Sequence, residues 1–182
     1  MTEMALSRLL AAARSYEFPP SGLVVDVGGG DGAMLVAILE ANPGLQGLLF
    51  ELPEVVEAAR ARLEASRLAE RYTLKSGSFL DSVPAGGDVH VLSNVLHDWD
   101  DDHCRRILAS CRRAMREGAR LFIVDAIMPE DPPFTLAALD LQMMVVLGGK
   151  QRTEQEYRAI IEAAGFRVTQ VSPAGLIEAE AI

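Results

Sequence analysis

Residues 24–32 (VVDVGGGDG) constrain the fold of this chain more than any other segment. The apolar-biased residues 23–27 predict a fully buried strand. Glycines at alternate positions of GGGDG then allow a tight turn and leave a bare backbone surface that a ligand can approach. Apolar residues at helical spacing follow at once and predict a helix over residues 33–41. A strand, a glycine turn and a helix in this order indicate a nucleotide-type binding loop.

The loop sequence by itself leaves the ligand open. Its spacing from residue 28 satisfies a loose dinucleotide fingerprint (G-x-G-x-x-A), and Glu51 lies where an acid would bind a ribose. Asp31 inside the loop and Asp26 just before it disfavour a pyrophosphate. S-adenosylmethionine (SAM) has a sulfonium cation and no phosphate, so nearby acids attract it. Charge therefore favours SAM over NAD, and a turn that binds no ligand is the third interpretation.

Strands and helices alternate along the chain, which predicts an α/β fold with a mostly parallel sheet and helices on both faces. The hydrophobic fraction of 49% with only 5% aromatic residues suits such a sheet. The predicted strands cover residues 23–27, 47–51, 72–75, 88–92, 120–124, 166–172 and 175–181, the last two as an antiparallel hairpin. The predicted helices cover residues 4–15, 33–41, 54–69, 101–116, 136–147 and 153–164. A ligand site is expected at the carboxyl ends of the strands.

Composition excludes several classes of partner. The net charge of −9 argues against nucleic acid or an anionic membrane. The first residues lack a long apolar core, so they predict neither a signal peptide nor a membrane span. Cys104 and Cys111 are too far apart on one predicted helix for a disulfide, so we expect free thiols in the cytoplasm. The acidic run at residues 100–102 is expected to cap a helix, and no metal site is expected.

Seven stretches, taken together, resemble the SAM-dependent O-methyltransferases of the caffeic-acid and hydroxyneurosporene type. They are VVDVGGGDG (24–32), FELPEVV (50–56), GSFLDSVP (77–84), LSNVLHDWDDDHCRRIL (92–108), LFIVDAIMP (121–129), GGKQRT (148–153) and YRAIIEAAGF (157–166). The resemblance runs from about residue 20 to the C-terminus. It implies a Rossmann-like class I methyltransferase fold with a seven-stranded sheet, and methylation of hydroxyl groups on small aromatic or polyketide-like molecules.

The resemblance assigns cofactor roles to residues at the ends of several strands. It implies that the Gly28 backbone contacts the methionine end of SAM and that Glu51 accepts both ribose hydroxyls. Ser78 and Phe79 would flank the adenine, although relatives often carry Asp at the Ser78 position. Ser93 stands where plant members have a lysine. The expected cofactor residues are Asp26, Gly28, Gly30, Glu51, Leu52, Ser78, Phe79 and Ser93.

His97 matches the general base of this family. A phenol has a pKa of about 10, so a base with a pKa of about 6.5 beside its hydroxyl assists methyl transfer. Asp125 matches the acid that orients the histidine, and Gln151 stands where plant members place a second acid. We therefore expect the imidazolium to be less stabilised than in relatives with two acids. The expected acceptor residues are Asp98, Trp99 and Met143.

Domain organisation is also taken from the resemblance. Residues 1–19 are expected to form an N-terminal helix and linker, and residues 20–182 the SAM-dependent methyltransferase domain. The N-terminal dimerisation domain of relatives is expected to be absent, so a homodimer or a complementing subunit could complete the acceptor pocket. The leading function is methyl transfer to a small hydroxylated acceptor. The alternatives are a SAM-binding module or truncated fragment without catalysis, and an NAD-binding oxidoreductase.

Overall fold

One mixed sheet organises the part of the chain that the computed structural model describes, which is residues 16–66, 68, 70–134, 148–172 and 175–182. The strands are β1 (Gly22–Val27), β2 (Leu45–Glu51), β3 (Tyr72–Ser76), β4 (Val89–Ser93), β5 (Arg120–Val124), β6 (Ile127–Met128), β7 (Arg152–Thr153), β8 (Phe166–Ser172) and β9 (Leu176–Ala181). The helices are α1 (Ala33–Ala41), α2 (Pro53–Ala65), α3 (Asp101–Ala114) and α4 (Glu154–Ala163), with a 3-10 turn at Leu96–Asp98.

Within the described residues, seven strands pair in the order β3-β2-β1-β4-β5-β9-β8. β1 to β5 are parallel, whereas β9 is antiparallel to both of its neighbours. The predicted fold class, with its mostly parallel sheet and terminal antiparallel hairpin, is confirmed. This topology brings the carboxyl ends of β1, β2, β4 and β5 to one edge.

Different helices cover the two faces of the sheet. On one face, Leu35 of α1 and Leu63 of α2 are fully buried in a cluster with Val24. On the other face, Tyr157 of α4 packs with residues of α3 in a second cluster, which includes Val25. Successive residues of β1 therefore face opposite clusters, as the alternation of a strand requires. Burial on both faces explains why the β1 sequence is apolar at every position from Leu23 to Val27 except Asp26, rather than alternating.

Several predicted boundaries shift for local reasons. α2 ends at Ala65 rather than near residue 69, because Ser66 adopts an extended backbone and its hydroxyl donates to the Leu63 carbonyl at 2.6 Å. α3 ends at Ala114 rather than residue 116, because Met115 leaves the helix with its side chain in the core. The short parallel pair β6–β7 and the 3-10 turn were not predicted.

Two predicted helices, at residues 4–15 and 136–147, lie outside the described residues, and so does Met143. α4 begins with a capping box, since Thr153 and Glu156 exchange side-chain and backbone hydrogen bonds. Within the described part of the chain, no helix is long and apolar enough to cross a lipid bilayer.

Candidate active site at the carboxyl ends of the strands

The glycine turn after β1 lies at the predicted edge of the sheet. Gly28 has a φ of 68°, and its N–H donates to the Phe50 carbonyl at the end of β2 at 2.8 Å. A Cβ added to Gly28 would lie 3.1 Å from the side chains of Phe79 and Val95. The absence of a side chain therefore lets three loops approach one another here, which leaves exposed backbone beside a cavity.

Asp26 lies beneath this turn rather than on the cavity wall. Its carboxyl is fully buried, and a Cβ added to Gly29 would lie 2.5 Å from Asp26 Oδ2. Burial, with a smaller contribution from the negative charge of Glu51, raises the pKa of Asp26 to about 7. Asp26 lines neither cavity, because the loop backbone lies over its carboxyl, and its part in cofactor binding stays a prediction.

Backbone N–H groups hold the carboxylate of Glu51 at the tip of β2. Its Oε2 accepts from the Gly30 N–H at 3.1 Å, and its Oε1 accepts from the Leu52 N–H at 2.8 Å. A carboxylate oxygen can accept more than one hydrogen bond, so both oxygens keep acceptor capacity toward the cavity. This is the geometry that a pair of ribose hydroxyls needs.

The acid inside the glycine turn has a cationic partner. Asp31 Oδ2 lies 2.7 Å from an Arg62 nitrogen, and Asp31 Oδ1 accepts from the N–H of Ala33 at the start of α1 at 3.2 Å. Asp31 therefore caps a helix and its charge is partly offset. The pairing weakens the sequence argument that the charge of this loop distinguishes SAM from NAD.

Two adjoining cavities open at this edge. The first, which we call the aromatic cavity, has a volume of about 580 Å³, and its walls include Leu52, Phe79, Asp98 and Trp99. The second, which we call the glycine cavity, has a volume of about 380 Å³ and is lined by the glycine turn, Met34 and Ser93. Gly28 and Asn94 line both cavities, so one ligand can extend from one to the other.

The aromatic cavity can take a flat ring. The rings of Phe79 and Trp99 meet edge to face with centroids 5.9 Å apart, and Leu52 is 42% exposed across from them. Ser78 also lines the cavity, but its Oγ accepts from the Leu80 N–H at 3.2 Å and so stabilises the turn itself. The predicted adenine-flanking residues are therefore brought together, with apolar and aromatic contacts dominating.

The junction of the two cavities contains polar groups at the end of β4. The Ser93 hydroxyl oxygen is buried and has no hydrogen-bond partner within the described residues, which suits a site that a polar ligand completes. Asn94, which sequence reasoning missed, has a left-handed backbone with φ 53°, and its N–H donates to the Val124 carbonyl at 2.8 Å. Asn tolerates this conformation better than most residues. An Asn directly after a predicted strand is therefore the sequence signal that could have identified this position.

His97, in the 3-10 turn after β4, is paired with Asp125 at the end of β5. The ring Nδ1 lies 2.6 Å from Asp125 Oδ1, and the His97 backbone N–H donates to Asp125 Oδ2 at 3.1 Å. Asp125 is fully buried, and its Oδ1 also accepts from the Ala126 N–H at 2.9 Å. A buried acceptor at Nδ1 favours a proton on that nitrogen and leaves Nε2 as the atom that can exchange a proton with a ligand.

A second carboxylate lies beside the other ring nitrogen. Asp98 Oδ1 is 3.3 Å from His97 Nε2, and the Asp98 side chain is 46% exposed on the wall of the aromatic cavity. With Nδ1 donating to Asp125, this contact is attractive only when Nε2 also carries a proton. The sequence assigned Asp98 to acceptor contact alone, whereas the structure also places it next to the histidine.

The segment before β7 lies against the 3-10 turn. The Lys150 N–H donates to the His97 carbonyl at 2.9 Å, so its neighbour Gln151 is held close to the histidine. A contact between the Gln151 side chain and the His97 ring stays a prediction. Arg152, which sequence reasoning passed over within GGKQRT, is fully buried and donates to groups on both sides of His97.

The other two histidines line neither cavity. His90 of β4 is fully buried, and burial lowers its pKa to about 4, so it is neutral at physiological pH. His103 lies on the first turn of α3, where its N–H and ring both contact Asp100 Oδ1 at 2.8 Å. Asp100 is therefore a helix cap. Among the described residues, no group of three or more His, Cys, Asp or Glu side chains could hold a metal ion.

Comparison with known proteins agrees with this geometry. The O-methyltransferase domain family matches residues 2–167. The mitomycin biosynthesis 6-O-methyltransferase of Streptomyces lavendulae is 39% identical over 175 residues, which are 96% of this chain and 50% of the relative. The phenazine O-methyltransferase of Lysobacter antibioticus is 42% identical over 164 residues, covering 90% of this chain and 48% of the relative. The chain thus spans about half the length of the curated relatives it matches.

A solved structure with the same architecture contains ligands. It is an O-methyltransferase from neocarzinostatin biosynthesis in complex with SAM and 2-hydroxy-5-methyl naphthoic acid. It superposes with a TM-score of 0.83 at 35% identity, covering 93% of this chain and 52% of that one.

Proposed function

The chain belongs to the O-methyltransferase domain family, and on that premise we propose that it transfers a methyl group from SAM to a hydroxyl oxygen of a small aromatic or polyketide-like molecule. The observation that carries the proposal is the His97–Asp125 pair, in which the other ring nitrogen, His97 Nε2, lies 3.3 Å from Asp98 on the wall of the aromatic cavity. The printed names of the relatives, which methylate mitomycin and phenazine compounds, support an acceptor of this class.

The residues of the cavities fit SAM. Glu51 keeps two oriented oxygens for the ribose hydroxyls, and Phe79 with Leu52 offers an apolar slot for the adenine. The buried Ser93 hydroxyl and the Asn94 side chain are available to the polar amino-acid end, beside the bare backbone of Gly28. When bound there, SAM supplies an electrophilic methyl group on a sulfonium.

We assign the proton transfer to His97. Its Nε2 accepts the hydroxyl proton of the acceptor, which makes the oxygen a better nucleophile for in-line attack on the methyl carbon. Asp125 holds the ring through Nδ1 and offsets the charge of the resulting imidazolium. Asp98 offsets it from the other side, because its carboxylate lies 3.3 Å from Nε2. The second acid that the sequence lacks at Gln151 is thus supplied by a neighbour of the histidine.

Calorimetric titration with SAM and with its demethylated product, S-adenosylhomocysteine (SAH), tests the cofactor. Incubation with SAM and a panel of phenols, followed by mass detection of one added methyl group, tests the reaction. His97→Ala should abolish transfer while leaving the affinity for SAH unchanged. Arg60→Ala is the control, because it removes an exposed side chain that is paired with Glu57 and lines neither cavity.

Each outcome separates the proposal from its alternatives. Tight SAH binding without methyl gain on any phenol would indicate a SAM-binding module that does not catalyse. Binding of a nicotinamide dinucleotide in place of SAH would indicate an oxidoreductase. Equal transfer by His97→Ala and wild type would remove the histidine from the reaction.

Self-association with a second copy or a complementing subunit stays a prediction. Two large apolar side chains outside the two cavities, Phe134 and Ile182, are 86% and 57% exposed. Burial of these side chains in an assembly would reduce their contact with water. Sedimentation velocity of the protein with and without SAH tests the prediction, and a single species of monomer mass under both conditions would contradict it.

A further inference from the structure

Arg152 is a charged side chain buried to 0% exposure, and every N–H of its guanidinium has an acceptor. Nε and Nη2 both donate to Asp101 Oδ1, at 3.0 and 2.8 Å. Nη1 donates to the carbonyls of Leu96 and Lys150 at 2.9 and 3.1 Å, and Nη2 also donates to the Trp99 carbonyl at 2.8 Å. A guanidinium has five N–H donors, so none is left over.

Two of these acceptors flank the histidine in the chain. Leu96 precedes His97 and Trp99 follows it by two residues, so Arg152 holds the 3-10 turn at both of its ends. Between them, the His97 carbonyl accepts from the Lys150 N–H at 2.9 Å. A Cβ added to Gly149 would collide with the same carbonyl, so the chain packs directly against the turn. We call residues 149–152 the backing segment.

The backing segment and Asp125 hold His97 through different groups. Asp125 holds its ring Nδ1 and its backbone N–H, whereas the backing segment holds the carbonyls of residues 96, 97 and 99. If the carbonyls were released, the turn could rotate and the 2.6 Å contact between Nδ1 and Asp125 would lengthen. A misplacement of about 1 Å can lower a rate by about 10²-fold.

We propose that Arg152 is a positioning residue for His97, fixing the turn so that Nδ1 stays on Asp125 and Nε2 faces the cavity. The inference rests on the proposed function, in which His97 is the base. Arg152 acts through the fixed directions of its five N–H donors rather than through charge alone, because its acceptors lie in several directions around the plane of the guanidinium. A lysine keeps the charge but has three donors on a single atom and cannot replace the fork.

Asp101 has a supporting part in this arrangement. The hydrogen bond from Arg152 holds the pKa of the Asp101 carboxyl below its usual range, so the pair is ionised at neutral pH. Asp101 is 41% exposed, and both contacts use one of its oxygens. Asp101→Asn keeps an acceptor oxygen at this place and removes the ionic attraction, so it is the milder perturbation.

The test compares Arg152→Lys, Arg152→Gln and Asp101→Asn with the control Arg112→Gln. Arg112 also donates to several backbone carbonyls, those of Gly165, Met115 and Ile182, but away from the histidine. Three measurements are made on each protein: the SAH affinity, kcat and KM for a phenol, and the exchange of the His97 Nδ1 proton by NMR of histidine-labelled protein. The chain contains 3 histidines, so the ring signals can be assigned by substitution.

Arg152→Lys and Arg152→Gln should lower kcat by about 10²-fold with little change in the SAH dissociation constant, and should lose the protection of the His97 Nδ1 proton. Asp101→Asn should show a smaller loss of both. Arg112→Gln should lower Tm while keeping kcat and the protected proton. If Arg152→Lys lowers only Tm and keeps the protected proton, Arg152 is structural and the inference is wrong.

Failure of the proposed function gives a different result. A wild-type protein that binds no SAH and methylates no phenol contradicts methyl transfer, yet the proton-exchange comparison still decides whether Arg152 positions the histidine. Asp101 is half-exposed at the start of α3, so Asp101→Asn is expected to fold. If the Arg152 variants do not fold, the proton exchange of this variant can still be compared with that of the wild type.

Discussion

The cofactor side and the histidine side of the site are built in different ways. At the cofactor side, backbone groups do most of the positioning, since N–H groups of Gly30 and Leu52 orient Glu51 and most residues of the turn are glycines. At the histidine side, buried ionic side chains do it, since Asp125 holds the ring and Arg152 holds the turn. A backbone frame is insensitive to most substitutions, whereas a network of buried ions fails when one member is removed.

Asp125→Asn should have the largest effect of the substitutions in this comparison. The effect should be confined to the histidine side. Asn can keep a contact to the ring but cannot offset the charge of the imidazolium, so kcat should fall by about 10²- to 10⁴-fold. The SAH dissociation constant should not change, since Asp125 lies outside both cavities. Steady-state kinetics and calorimetry on the same preparation check this. A loss of SAH affinity equal to the loss of kcat would break the distinction between the two sides.

Asp26→Asn sharpens the comparison from the cofactor side. The pKa of Asp26 is raised from 3.8 to about 7 in the folded protein, so the unfolded chain loses this proton first as the pH rises. The contribution of Asp26 to the free energy of unfolding therefore declines between about pH 4 and 7 and is constant above that range. Asn cannot ionise. The free energy of unfolding of Asp26→Asn, relative to that of the wild type, should therefore rise across this window by roughly 2–4 kcal/mol.

Urea unfolding at pH 5 and pH 8 measures that advantage. Asp102→Asn is the control, because Asp102 lies at the surface in an ion pair with Arg105, away from Asp26, and such pairs contribute about 0–1 kcal/mol. An advantage for Asp26→Asn that is the same at both pH values would show that Asp26 does not titrate beneath the turn.

Glu51→Gln should change affinity and leave the chemistry intact. The amide cannot accept from both N–H groups and from two ribose hydroxyls, so the SAM dissociation constant should rise by about 10- to 100-fold. At saturating SAM, kcat should stay close to that of the wild type. Calorimetry and saturation kinetics provide the two numbers, with the exposed Glu57→Gln as control. A fall of kcat at saturation would place Glu51 in the reaction rather than in binding.

Ser78→Asp should have the smallest effect, which is an increase in the affinity for SAM. The family resemblance implies an acid at this position, and a carboxylate can accept from the adenine amino group while still accepting from the Leu80 N–H. The SAM dissociation constant should fall by about 3- to 10-fold, as for one added hydrogen bond to a charged group. Calorimetry measures it, and an unchanged or weakened affinity would show that the adenine does not lie beside Ser78.

The sequence predicted the fold where local rules decide the structure. The helix at residues 33–41 was predicted with its correct bounds, because a glycine turn begins it and Asn42 ends it. The end of α2 was missed, because the Ser66 hydroxyl competes for a backbone carbonyl and no pattern of apolar residues records that. The order of the strands could not be predicted, because it depends on pairing between strands that lie far apart in the chain.

Within the site, too, residues that local sequence patterns mark could be predicted, whereas residues that act through distant contacts could not. Glu51 and Gly28 were predicted as cofactor residues because each directly follows or ends a strand of recognisable pattern. Arg152 was missed because its role depends on carbonyls 53 and 56 residues away in the chain. Asp26 was assigned to the cofactor because its charge was visible, while its burial beneath Gly29 was not.

A crystal structure with SAH and a phenolic acceptor tests the central claim most directly. It should show the ribose hydroxyls on Glu51, the adenine beside Phe79, and the acceptor hydroxyl on His97 Nε2 with the Nδ1 contact to Asp125 retained. SAH bound away from the strand ends, or an acceptor hydroxyl that does not reach His97, would contradict the account.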